Sequence, residues 1–138
     1  MESNTSNKNK KKMIVINGGH FSDLPEFYEE VSNVLTQDAD WKIGTLDGFN
    51  DILYGGFGTF ENGEEVEIIW KESQKSKNDL GLNATREFYE RKIRQGKPFN
   101  TELIQQKLDD LISGKGQTLF DILIEIIEDH KNITLILD

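Results

Sequence analysis

The 138-residue chain is long enough for one domain with a real core, burying about two-thirds of its unfolded surface. Hydrophobic residues at 36% and charged residues at 30% exclude a disordered chain, and the lack of cysteine excludes disulfides, thiolate metal sites and a thiol nucleophile. The formal net charge of −9 becomes −12 beyond residue 12, from 12 basic and 24 acidic residues; so negative a surface repels phosphate backbones, arguing against direct nucleic-acid binding and for cationic partners.

In chain order, residues 1–12 are polar and aperiodic, with Lys8, Lys10, Lys11 and Lys12 against Glu2 alone, and are expected to be a disordered tail. They lack the apolar segment of a secretory signal, and no stretch approaches the roughly 18 apolar residues of a membrane helix, so the expected address is the cytoplasm. One domain is expected over residues 13–138. It opens with a buried strand over 13–16, closed by the turn Asn17-Gly18-Gly19. Ser22 is placed to cap a helix with Pro25 in its first turn and Leu24, Phe27, Tyr28, Val31 and Leu35 on its inner face. A shorter helix is predicted over 46–54, burying Leu46, Phe49 and Leu53 and ended by Gly55-Gly56. Gly58 and Asn62-Gly63 mark a turn.

A strand follows over 66–70, with Val66, Ile68 and Trp70 on one face and Ile69 on the other. Residues 71–116 read as helical and charged. They include a helix over 85–95 and an amphipathic stripe of Leu103, Ile104, Leu108, Leu111 and Ile112 in which Lys107 is the polar exception. Thr118 is expected to cap a helix over 119–130, and residues 133–137 form a closing strand. Strands at both ends with helices between them predict an α/β fold with parallel pairing through helical crossovers.

Candidate chemistry is carboxylate chemistry. Asp47 and Asp51 stand four apart, so both project from one face of the second helix, with Asn50 and Tyr54 nearby. Residues 43–65 contain Asp47, Asp51, Glu61, Glu64 and Glu65 and no lysine or arginine, and the last helix adds Asp121, Glu125, Glu128 and Asp129 without a base. Spacing alone leaves three readings open: a solvated face, a binding surface, or metal ligands. His20 and His130 lie far apart with no nucleophile in register and read as surface or capping residues. The glycines of Gly55-Gly56-Phe57-Gly58 lack the Gly-Lys-Ser/Thr ending of a phosphate loop and read as turn residues.

The collinear segments Ile14-Val15-Ile16-Asn17-Gly18, Ser22-Asp23-Leu24, Gly44 with Leu46-Asp47, Asp51 and Leu53, Ile69-Trp70-Lys71, and Ile133-Thr134-Leu135-Ile136-Leu137 resemble the barstar family, intracellular inhibitors of the ribonuclease barnase. Ile14-Val15-Ile16-Asn17-Gly18 is similar to the family's opening strand and turn, and Ser22-Asp23-Leu24 to the next helix start. Gly44, Leu46-Asp47, Asp51 and Leu53 resemble its inhibitory segment; Ile69-Trp70-Lys71 and Ser76-Lys77 resemble its second strand and the helix after it, and the terminal helix with Ile133-Thr134-Leu135-Ile136-Leu137 resembles its ending. The resemblance implies a three-stranded parallel sheet packed by helices, and inhibition by plugging a basic ribonuclease. Asp51 would be the central inhibitory carboxylate, Asp47 its neighbour and Glu125 the contact from the last helix, with Asn50, Tyr54, Gly44 and Trp41 around them. No catalytic residue, metal or cofactor is implied. Asn50 replaces an aromatic, Trp41-Lys42 replace paired tyrosines, the chain is one residue shorter before Leu46, and residues 82–116 are a helical insertion. The same scaffold admits a toxin that is not a ribonuclease, and the same carboxylates admit a divalent-metal enzyme.

Overall fold

A computed structural model of the protein describes residues 11–37 and 40–138, so most of the expected N-terminal tail lies outside the described residues. Strands β1 (Lys12–Asn17), β2 (Val66–Lys71) and β3 (Ile133–Leu137) form one parallel sheet in the order β1-β2-β3. The α/β fold with a three-stranded parallel sheet is therefore as expected. Between the strands run α1 (Leu24–Leu35), α2 (Leu46–Ile52), α3 (Ser73–Asp79), α4 (Leu82–Gln95), α5 (Thr101–Ile112) and α6 (Leu119–Glu128). Among the described residues no helix is long and apolar enough to cross a membrane.

Alternation along the strands separates the two sheet faces. Ile14, Ile16, Val66, Ile68, Trp70 and Ile133 are buried, whereas Met13, Val15 and Ile136 on the other face are exposed. Trp70 is the hub of the buried side. Its ring stacks on Phe27 of α1 at 5.4 Å and meets Phe120 of α6 edge-on at 5.3 Å, while Phe27 meets Phe49 of α2 at 5.2 Å. The indole N–H donates to Ser76 Oγ at 3.0 Å, so this large side chain is buried with its polar atom satisfied. Gly18 lets β1 turn beside that pair: a Cβ there would fall 2.5 Å from Ser76 Oγ and 2.6 Å from the Lys71 carbonyl.

Helix ends differ from expectation by a residue or two, each for a local reason. Asp23, not Ser22, caps α1, its carboxylate accepting the Glu26 N–H at 2.9 Å; Ser22 instead donates its own N–H to Glu26 Oε1 at 2.8 Å. Helix α2 stops at Ile52, two residues early, because Gly55 and Gly56 adopt φ of 86° and 92° and the last turn closes with Gly55 N–H on the Ile52 carbonyl. The Thr118 cap of α6 is as expected and is completed by Asp121 in a reciprocal capping box.

The expected insertion is a helical hairpin. Tyr89 of α4 packs with Leu108 and Leu111 of α5 in a small core of its own. The α5 stripe is narrower than predicted, since Leu103 and Ile112 are exposed at 48% and 63%; α5 packs chiefly on α4, which covers only one side of it. The hairpin is fastened to the sheet layer by Thr85, fully buried, whose hydroxyl donates to the Gly81 carbonyl at 2.7 Å and accepts the Leu119 N–H at 2.7 Å. Thr85→Val keeps the shape and strands the Leu119 N–H. It is expected to cost about 1–3 kcal/mol in urea denaturation, more than an isosteric apolar swap elsewhere in α4.

Candidate functional site

Helix α2 is amphipathic in the simplest way. Phe49 and Ile52, with Leu53 at the C-cap, are buried; Asp47, Asn50 and Asp51 form the opposite stripe, and Tyr54 in the turn beyond continues it. Thr45 caps the helix through its hydroxyl, which accepts the Gly48 N–H at 2.9 Å, so the stripe starts from a fixed end. Asp47 and Asp51 are exposed. On α6, Leu119, Phe120, Leu123 and Ile127 are buried, which turns Asp121, Glu125 and Glu128 outward. No Lys, Arg or His nitrogen lies within 4.0 Å of Asp47, Asp51 or Glu125 among the described residues.

The two acidic helices are joined by a histidine. His130, buried at 6% exposure just beyond α6, places Nε2 2.8 Å from Asn50 Oδ1; that oxygen only accepts, so Nε2 carries the proton. Its ring meets Tyr54 edge-on at 4.6 Å. The expectation of an ordinary surface or capping residue is thus corrected: His130 is an internal strut between α2 and the end of α6. Half of Asn50 is spent on this strut. Tyr54 remains 54% exposed with one edge on His130. Sequence reading missed the pairing because 80 positions separate the partners and no local pattern connects them.

Desolvation lowers the His130 pKa from its ordinary 6.5, opposed by the nearby Asp129 carboxylate. A depressed folded-state value means the unfolded chain takes up the proton first as pH falls. The His130 contribution is intact above about pH 6.5 and is lost as pH drops through the lower folded value. Urea midpoints measured across this range should fall on the acid side, and His130→Gln should flatten that part of the profile.

The remaining expected contacts are scaffold and rim. Trp41 is half-buried and stacks on Phe57, with centroids 5.3 Å apart and planes at 22°. Gly44 is exposed, and a Cβ there would meet nothing within 4 Å, so neither packing nor backbone strain requires a glycine. Asp47 has a distant counter-charge: it raises the pKa of Lys92 on α4, although burial and Lys107 together lower it. His20, as expected, is exposed, with Nδ1 2.9 Å from Glu30 Oε1. No three Asp, Glu or His side chains among the described residues stand close enough to hold one metal ion.

No family model, no curated protein and no solved structure matches this chain.

Proposed function

We propose that the protein is a cytoplasmic inhibitor, of the immunity type, that blocks a basic ribonuclease by presenting Asp51, Asp47 and Glu125 to its active site. One observation carries the reading: exposed carboxylates on two helices that share the His130 strut have no basic side chain within 4.0 Å among the described residues. A ribonuclease cleft holds a phosphate with arginine, lysine and histidine, and it accepts a carboxylate on a rigid helix for the same electrostatic reason. The resemblance of residues 44–53 to the barstar family supports the same reading, since it implies inhibitory roles for Asp47 and Asp51. The stripe is rigid because its helix is capped at Thr45 and anchored on the core by Phe49, Ile52 and Leu53. Asp51 is its centre, and Asp47, which shares its field with Lys92, is secondary.

The test is to capture a nuclease from the native cells and titrate its cleavage of RNA with the purified chain. Stoichiometric loss of cleavage is expected; undiminished cleavage at excess inhibitor overturns the reading. A captured toxin that does not cut RNA would keep the acidic face and replace the partner.

A further inference from the structure

The helical hairpin over residues 82–116 builds one wall of a groove of about 480 Å³, and the start of α1 with Gly44 and Thr45 builds the other. That volume lies in the range of small-molecule sites, about 300–1,000 Å³. The lining is largely apolar and rich in ring faces: Leu24, Pro25, Tyr28, Phe88, Phe99 and Leu119. Into it α4 brings two cations, Arg91 and Lys92. The Lys92 ammonium stands 4.2 Å from the Phe88 ring centroid and 5.0 Å from that of Phe99. Neither cation has a carboxylate within 4.0 Å among the described residues.

We propose that this groove binds a small aromatic monocarboxylate, its ring on the apolar wall and its carboxylate paired with Lys92. The charge on the ligand follows from Lys92: partly buried and next to Lys107, the ammonium is depressed in pKa and lacks a close counter-ion, which a bound anion supplies. A single charge follows from the rim. Asp23 and Glu87 line the same groove and offset its two cations, and Asp47 lies within electrostatic reach, so the groove offers no net positive charge to a nucleotide or other polyanion. Asp23 is not free to swing away, since its carboxylate is held at the α1 cap by the Glu26 N–H. Aromatic character follows from the three rings in the wall, which pack edge or face against a ligand ring. The proposal does not rest on the inhibitor reading, although Gly44 and the field of Asp47 are common to both faces, and it gives the hairpin a task of its own.

The test is calorimetric titration of the full chain with 3-phenylpropionate and, separately, with 3-phenylpropionamide. Saturable one-to-one uptake of the acid is expected, with the amide weaker by about tenfold or more, the size of one charge-assisted contact. Lys92→Met keeps the stem over the rings and should lose the same factor. Gly44→Phe, at a position with open space around its Cβ, should fold normally and block uptake. Absence of saturable binding, equal affinity for acid and amide, or full affinity in Lys92→Met overturns the proposal.

Discussion

Under the proposed function, Asp51→Ala should leave the fold intact and weaken binding to the proposed ribonuclease partner by about 2–5 kcal/mol, the general magnitude for truncating one partner of a buried interfacial charge pair. In the free protein Asp51 is exposed and has no ion-pair partner within 4.0 Å among the described residues, and Asp47 one turn away carries the same charge. Like charges at i, i+4 cost a few tenths of a kcal/mol, so removing one should leave thermal stability unchanged or slightly raised. Stability and affinity then move in opposite directions, the signature of a residue kept for binding. Asp51→Asn should behave alike, because the lost quantity is charge. Asp47→Ala should cost less, since Lys92 already offsets part of its field. Inhibition titrations and thermal melts on the same preparations check all three.

The largest effect on stability is expected at Trp70. Trp70→Ala removes the ring that joins β2 to Phe27 of α1 and Phe120 of α6, and should cost about 3–5 kcal/mol. A domain of this size has about 5–15 kcal/mol in all, so the variant should lose a large part of its urea resistance or unfold outright. Ser76→Ala separates packing from hydrogen bonding: it leaves the buried indole N–H without its 3.0 Å acceptor and should cost about 1–3 kcal/mol with the ring still in place. A Trp70→Ala cost below that of Ser76→Ala would contradict the placement of the ring at the centre of the core.

The order of elements was legible because each strand and helix advertises itself locally. The alternation Val66, Ile68, Trp70, the turn residues Asn17-Gly18-Gly19 and the apolar run over 133–137 located the strands, and the i, i+4 spacing of Asp47 and Asp51 put both on one helix face. Boundaries were less legible where two residues compete for one role, as Ser22 and Asp23 do for the α1 cap. Two of the five apolar positions of the α5 stripe were misjudged because periodicity reports which residues share a face and not whether a partner covers it; Leu103 and Ile112 share the face and stay exposed. The His130–Asn50 strut and the groove beside Lys92 were invisible, since both depend on contacts between distant segments. Neither involves a repeat, a spacing or a composition shift.

Hydrogen–deuterium exchange of the chain with and without the proposed ribonuclease partner addresses the central proposal directly: that the outward carboxylates of α2 and α6 are what a basic cleft receives. Protection should concentrate in α2 and in the outward side of α6 around Glu125, leaving the exposed sheet face of Met13, Val15 and Ile136 unchanged. Protection confined to the sheet face or to the α4–α5 hairpin, with α2 exchanging as in the free protein, would contradict it.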